Sequence, residues 1–225
     1  MEKGILYIIA TPLGNMGDIT KRAVEILSAV DFVACEDTRV AGGLLHKLEI
    51  KKELVSIHQH SSDEKIAFII RELEAGKSIA YVSDNGTPGI SDPGQKLAKA
   101  IQQCNNITII PVPGPSALTA AISVSGMVEK EFYFLGFLPK KKGRETKFKM
   151  LATLDCPFVV YESAPRLEKT LNDIKKYIGD SAEVFIAREM TKKFEEYWGN
   201  NIDEIINDLK NHTIKGEFVL IVHKN

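Results

Sequence analysis

The chain has 225 residues, 44% of them hydrophobic and 26% charged, with a formal net charge of −1. Such a composition excludes disordered and fibrous classes, and it gives no global field that would draw in nucleic acid, so any RNA contact has to use a local basic patch. No apolar run approaches the length of a membrane span. The stretch Ile5–Ala10 is too short for the apolar core of a signal peptide and reads as a first strand, which implies a cytoplasmic protein.

The first half alternates strands and helices. Continuous apolar runs at Ile5–Ala10, Asp31–Cys35, Leu54–Ile57, Ser78–Val82 and Ile107–Val112 predict strands buried on both faces. Between them, Asp18 is placed to cap a helix carrying Ala23, Val24, Leu27 and Val30. Ser61 and Glu64 form a capping box ahead of Ile66, Ile69, Ile70 and Leu73, and Asp92-Pro93 starts a further helix with Leu97 and Ile101 inward. This alternation predicts a mostly parallel sheet. Three prolines within Pro111-Val112-Pro113-Gly114-Pro115 mark a domain boundary, giving an α/β domain over 1–112 and a mixed-sheet α+β domain over 113–225. The second domain reads as a small-residue helix (Ser116–Ser125), strand Phe132–Phe137 and a basic helix from about Arg144. Strand Phe158–Tyr161, helix Pro165–Ile178, strand Glu183–Ala187, a strand near Tyr197, helix Ile202–Leu209 and strand Glu217–His223 complete it.

Three of the first-half strands end in tight loops of small residues: Thr11-Pro12-Leu13-Gly14-Asn15, Ser83-Asp84-Asn85-Gly86-Thr87-Pro88, and Pro113-Gly114-Pro115-Ser116-Ala117. In an open α/β sheet the carboxyl ends of the strands form the ligand crevice, so these loops predict a small-molecule pocket. Neither a G-x-G-x-x-G nor a Walker pattern is present, which argues against a phosphate-rich ligand. Asp84 suits a cation or a ribose hydroxyl, and Gly86 allows close backbone approach; a plain Asn-Gly turn is the alternative. Glu36-Asp37-Thr38-Arg39 leaves the same sheet edge with two carboxylates and a guanidinium. They could orient a substrate or supply a general base, or simply form an ion pair with a helix cap at Thr38. Tyr161-Glu162-Ser163 and Arg188-Glu189-Met190-Thr191-Lys192 repeat the pattern of strand, acid and base.

Six basic residues and one acid fall within Lys140–Lys149. Lys140, Lys141, Lys142, Arg144 and Lys147 are candidate phosphate-backbone contacts, against the alternative of a solvated face. His58 and His60 have no third ligand nearby, and Cys35, Cys104 and Cys156 lack metal or redox spacing. No metal is expected, and the cysteines read as structural thiols in a reducing compartment.

Taken in order, Thr11–Asn15 with Gly17–Thr20, Glu36–Arg39, Ser83–Pro88 with Asp92–Gly94, Pro113–Ala117, Gly136–Pro139, Tyr161–Ser163, Arg188–Lys192 and Lys215–Glu217 make this chain resemble the ribosomal RNA small subunit methyltransferase I family of the tetrapyrrole methylase superfamily. The resemblance covers nearly the whole chain and implies a two-domain tetrapyrrole-methylase-like fold with S-adenosylmethionine in the cleft between the domains, and a homodimer. The implied reaction is 2′-O-methylation of a cytidine ribose in the decoding region of 16S ribosomal RNA on the small ribosomal subunit. By the same resemblance Leu13, Asp84, Gly86 and Thr87 line the methionine and ribose side of the cofactor, Ser116, Ala117, Tyr161, Ala164 and Met190 complete the pocket, and Gly216 approaches the adenine. Glu36 or Glu162 is then the base or hydroxyl-orienting group, with Arg39 and Lys192 holding RNA phosphates. Many members of that family continue past the Lys215–Glu217 segment into a short helical piece, whereas this chain stops at Asn225; a grip on the ribosome made by that piece would be missing. Two alternatives stay open: methylation of a tetrapyrrole such as a cobalamin precursor, which would not need the lysine patch, and a non-catalytic ribosome-binding module of the same fold.

Overall fold

The computed structural model describes residues 4–58 and 63–224, which form two compact units, Met1–Ser116 and Ala117–Asn225. The first unit contains β1 (Gly4–Ile9), α1 (Lys21–Ala29), β2 (Phe32–Cys35), α2 (Thr38–Lys47), β3 (Leu54–Ser56), α3 (Asp63–Glu74), β4 (Ser78–Val82), α4 (Gly94–Ile101) and β5 (Ile107–Val112). Its five strands lie in the order β3-β2-β4-β1-β5, and every pairing is parallel.

Although the strand sequences are continuously apolar, the period of two still sorts them. Val33, Cys35, Ala80 and Val82 face one side, where Ala23 and Leu27 of α1 and Ala41 and Leu45 of α2 cover them. Phe32, Ala34, Ile79 and Tyr81 face the other, under Ile69 and Leu73 of α3 and Leu97 and Ile101 of α4. Burial of each such Leu or Ile contributes about 1.5–3 kcal/mol. Pro111 lies within β5 opposite Ile8. Its missing N–H is tolerated because β5 is the edge of the sheet.

Local chemistry sets the helix starts, and here two expectations are corrected. Thr20, not Asp18, caps α1: its Oγ1 accepts from the Ala23 N–H at 3.1 Å, while Asp18 closes a short 3-10 turn, Met16–Asp18. Asp37, not Thr38, caps α2, accepting from the Arg39 N–H at 2.8 Å. In the sequence α2 shows only as a possible cap at Thr38, because its interior Gly42-Gly43 weakens the helical signal. The expected capping residue Ser61, and His60, lie outside the described residues.

The second unit contains α5 (Ala117–Ser125), β6 (Tyr133–Phe137), α6 (Arg144–Leu151), β7 (Phe158–Ser163), α7 (Leu167–Ile178), β8 (Ala182–Arg188), β9 (Glu196–Asn201), α8 (Ile202–Asp208) and β10 (Glu217–Lys224). Its sheet runs β6-β7-β10-β8-β9 and is mixed: β6 and β7 are parallel, while β10 is antiparallel to both β7 and β8, and β9 is antiparallel to β8. Leu167, Leu171, Ile174 and Ile178 of α7, at helical spacing, close one face of this sheet. Helix α5 covers Val159, Ala187, Val219 and Ile221 on the other.

Candidate active site

In the first unit the connection from β1 runs through α1 towards β2, and the connection from β4 runs through α4 towards β5. Because β1 and β4 are neighbours, their loops depart in opposite directions. That divergence is the topological switch point at which open α/β sheets bind ligands.

Hydrogen bonds hold the loops there as one body. Thr11 N–H donates to the Gly86 carbonyl at 2.9 Å and Gly86 N–H returns a bond to the Thr11 carbonyl at 3.1 Å. Thr11 Oγ1, on a residue 2% exposed, donates to the Ser83 carbonyl at 3.3 Å. Thr87 Oγ1 donates to the Pro115 carbonyl at 2.9 Å, tying the Asp84 loop to the turn after β5. Asp37 N–H donates to Asp84 Oδ1 at 3.1 Å, tying the same loop to the exit of β2. Asp92 accepts from the N–H groups of Gly89 at 2.8 Å and Gly94 at 2.7 Å, closing the segment that leads into α4. Gly86 has φ +74°, and a Cβ on it would stand 2.9 Å from Leu13 Cδ2 and 3.4 Å from the Pro115 carbonyl oxygen. Only glycine lets these three loops close to this distance.

Leu13, Glu36, Asp84, Gly86, Thr87 and Ser116 therefore come together at one edge of the first unit. Burial, and then the negative charges of Asp84, Asp92 and Asp37, hold the Glu36 carboxyl above its usual pKa. Asp84 is raised as well, chiefly by burial, although the Asp37 N–H opposes the shift. Half-buried carboxylates that raise one another attract a cation, whose arrival would favour their charged forms. This donor set fits a ligand with a positively charged centre and hydroxyl groups. Arg39 extends outward, its side chain 88% exposed, and is held on Asp37 by a 2.5 Å bond.

A second loop cluster forms in the second unit, where β7 and β8 end and β10 begins. Ser163 pairs with Glu217, and Arg188 with Phe218. Ala164 N–H donates to the Gly216 carbonyl at 3.3 Å, and Glu189 N–H to the Glu217 carbonyl at 3.0 Å. Tyr161, Ala164, Met190, Lys192 and Gly216 are thus brought together. Met190 is buried between Glu189 (φ +49°) and Thr191 (φ +64°), two non-glycine residues in the left-handed region. Gly216 has φ +90°, and a Cβ there would collide with the Glu189 carboxyl. Ala117 opens α5 and packs beside Met190.

Three expected roles are corrected. Glu162 is buried at 1% exposure on the α7 face of β7. Its Oε2 accepts from Thr170 Oγ1 at 2.6 Å, its Oε1 from the Ser163 N–H at 2.8 Å, and Arg166 Nε lies 3.2 Å from Oε1. A carboxylate spent on these internal partners presents no open face to a ribose hydroxyl. Arg144 is likewise not a surface cation. At 5% exposure it bonds Asp173 at 2.7 Å, Thr170 at 2.8 Å and the Pro139 carbonyl at 3.2 Å. Lys192 holds Glu189 at 2.9 Å and Glu217 at 3.0 Å, so its charge is engaged inside the loop cluster and not presented to a phosphate. Lys140, Lys141 and Lys142 are exposed, and Lys147 is half-buried.

Two residues of the loops singled out in the sequence have structural roles that only the fold shows. Thr11 ties the loop cluster together through its bonds to Gly86 and Ser83, signalled only by its place directly after β1. Arg188 bonds the carbonyls of Lys215 at 2.9 Å and Phe194 at 3.1 Å and pairs with Glu196, fixing the second cluster; nothing local distinguishes it from a solvated strand end. Among the described residues no group of three or more His, Cys, Asp or Glu is set to hold a metal ion, and no helix is long and apolar enough to cross a membrane.

A parallel sheet whose strand-exit loops converge at its switch point, followed by a mixed α+β unit, makes this a two-domain α/β protein. The chain belongs to the family of tetrapyrrole (corrin/porphyrin) methylases, which matches residues 5–206. It is 43% identical over 97% of its length to the ribosomal RNA small subunit methyltransferase I of Synechocystis sp., covering 78% of that protein. It is 44% identical over 99% of its length to the protein of the same name from Leptospira biflexa, covering 92% of it. Among solved structures, uroporphyrin-III-C-methyltransferase from Thermus thermophilus superposes with a TM-score of 0.69 at 17% identity, over 99% of this chain and 95% of that one. The cobalt precorrin-4 methyltransferase CbiF superposes at 0.67 and 18% identity, over 96% and 94%. These two likenesses concern the fold. Methylases of this family use S-adenosylmethionine, a sulfonium with a ribose and no phosphate, and the Glu36–Asp84 edge fits that chemistry.

Proposed function

We propose that this chain methylates the 2′-hydroxyl of a cytidine ribose in the decoding region of 16S ribosomal RNA. The observation that carries this reading is the identity of 43–44% over nearly the whole chain to relatives called ribosomal RNA small subunit methyltransferase I. The same reading has the chain act on the small ribosomal subunit, as a cytoplasmic homodimer.

When bound, S-adenosylmethionine supplies a methyl group already activated on a positive sulfur. The work left to the protein is to position the acceptor, an effect worth about 7–11 kcal/mol in well-oriented systems. Asp84, Gly86, Thr87 and Leu13 on the first unit hold the ribose and methionine ends. Ser116 with Ala117, Tyr161, Ala164, Met190 and Gly216 supply further contacts. Glu36 is the group that accepts the hydroxyl proton. Its raised pKa brings it closer to working pH, where a base contributes about two to four orders of magnitude. Arg39, exposed two residues beyond the Asp37 cap, meets a phosphate of the same strand. The exposed lysines Lys140, Lys141 and Lys142 hold the RNA backbone by charge.

The test incubates the protein and methyl-labelled cofactor with unmethylated 30S subunits and with naked 16S RNA, then maps the labelled nucleotide. Label on a cytidine ribose in the decoding region is the expected result. Label on a base or on another region, or no label on either RNA substrate, would refute the reading.

A further inference from the structure

In strand β6 the pairing with β7 slips: Phe134 lies opposite Val159, Gly136 opposite Val160 and Phe137 opposite Tyr161, leaving Leu135 as an extra residue. Gly136, at φ +69°, makes this bulge possible. Without it Phe137 would stand opposite Glu162 and turn into the core beneath α7. With it Phe134 and Phe137 share one face, both edge-on to the Tyr161 ring, at 5.1 Å and 5.6 Å between centroids. Phe134 is half-buried there, but Phe137 stays 54% exposed. The bulge thus takes a large aromatic out of a core and holds it on the surface.

The neighbouring chain is anchored. Arg166 donates to the Leu138 carbonyl at 2.6 Å, and Arg144 donates to the Pro139 carbonyl at 3.2 Å. Both arginines are fixed from below through the Glu162–Thr170–Asp173 network. Lys140, Lys141 and Lys142 follow at once, all exposed, and the nearest acid in sequence, Glu145, is paired with Lys149 at 2.8 Å. An exposed aromatic face at the root of a rigid, uncompensated lysine turn is the combination that binds unpaired nucleic acid, with charge on the backbone and a ring under the base.

We propose that Phe137 is a stacking platform for one unpaired base of the RNA substrate, presented beside the Lys140–Lys142 turn. This inference rests on the RNA reading above and adds to it a base-binding position. The occupant is single-stranded RNA, chosen over a second copy of the chain by the charge of the adjoining turn. Stacking is non-ionic, so it can be separated from the lysine contacts by salt.

The experiment measures binding of the full chain to a short single-stranded RNA carrying one 2-aminopurine, between 50 and 300 mM salt, for the unaltered chain, Phe137→Ala, Phe137→Trp and Lys141→Ala. Phe137→Ala should weaken binding about 5- to 100-fold with the salt slope unchanged and should remove the fluorescence quench of stacking. Phe137→Trp should restore both. Lys141→Ala should instead lower the slope by about 0.7. Unchanged affinity in Phe137→Ala overturns the platform while leaving the RNA reading standing, and a changed sedimentation coefficient alongside it would assign Phe137 to a chain–chain contact. No RNA binding by the unaltered chain overturns the platform, and the RNA reading falls with it only if 30S subunits also go unmethylated.

Discussion

Thr11 and Gly86, 75 residues apart in the chain, exchange a pair of backbone hydrogen bonds at 2.9 Å and 3.1 Å just beyond the ends of β1 and β4. This bridge closes the point at which the two strands' connections part, so the loops that would otherwise splay are locked edge to edge. Everything placed on the Asp84 loop inherits its position from that bridge.

Gly86→Ala should damage stability and binding together. A Cβ at φ +74° costs about 1–2 kcal/mol in backbone strain, before its contact with Leu13 is relieved. Urea titration should show a loss of about 1–3 kcal/mol, and calorimetry a weaker S-adenosylmethionine affinity. Wild-type values in both would show that the close approach has no role.

Glu36 should set the acid limb of the pH–rate profile. Its carboxyl is raised by burial and then by the charge of Asp84, so the limb should lie above the ordinary glutamate value of about 4.3. Removing a nearby negative charge lowers a carboxyl pKa. Asp84→Asn, assayed at saturating cofactor, should therefore move the limb to lower pH, and Glu36→Gln should abolish it with most of the rate. Full transfer by Glu36→Gln at every pH would place the base elsewhere.

Glu162 should matter for stability and not for chemistry. Its removal leaves Arg166 and the Thr170 hydroxyl short of an internal partner, and Glu162→Ala should cost about 3–5 kcal/mol in denaturant titrations. Glu162→Gln, which keeps the bond from Thr170, should cost less and, where folded, transfer methyl groups at the normal rate. A folded Glu162→Gln chain with no activity would return Glu162 to the reaction.

His212 should make the second unit more stable in mild acid. Its ring stacks on Trp198 at 4.2 Å, with Nδ1 2.6 Å from Glu196 and Nε2 2.9 Å from Asp208. Partial burial lowers its pKa, but the bonds to the two carboxylates outweigh that and hold it above the usual 6.5. A group raised on folding stabilises fully below its unfolded value, and the benefit disappears as pH rises through the folded one. The melting-temperature gap between the unaltered chain and His212→Gln should be wide at pH 6 and narrow at pH 9. A gap that does not change with pH would remove the charge from the explanation.

Much of this was legible beforehand because it rests on local patterns. The apolar runs of β1, β2, β4 and β5 and the helical spacing of Leu97 and Ile101 are properties of adjacent residues. So are the small-residue loops that follow β1, β4 and β5. The exact caps were less so, since Asp18 and Thr20 offer the same capping oxygen and only the path of the chain out of β1 selects Thr20. Helix α2 showed only as a possible cap at Thr38, because its two interior glycines weaken the helical signal.

By itself the sequence determined the alternation of strands and helices, and with it a parallel sheet whose carboxyl edge carries Leu13, Glu36, Asp84 and Gly86. The tertiary structure alone decided the fate of the charges. Glu162 and Glu36 look alike in one dimension, each an acid at a strand exit. The period of two turns Glu162 towards α7, where Thr170 and Arg166 take it up, while Glu36 ends half-buried among other carboxylates. Arg144 reads as one more cation in a basic run until α7 supplies Asp173 from 29 residues away. Whether a charge serves the fold or a ligand depends on its partners, and those come from distant parts of the chain.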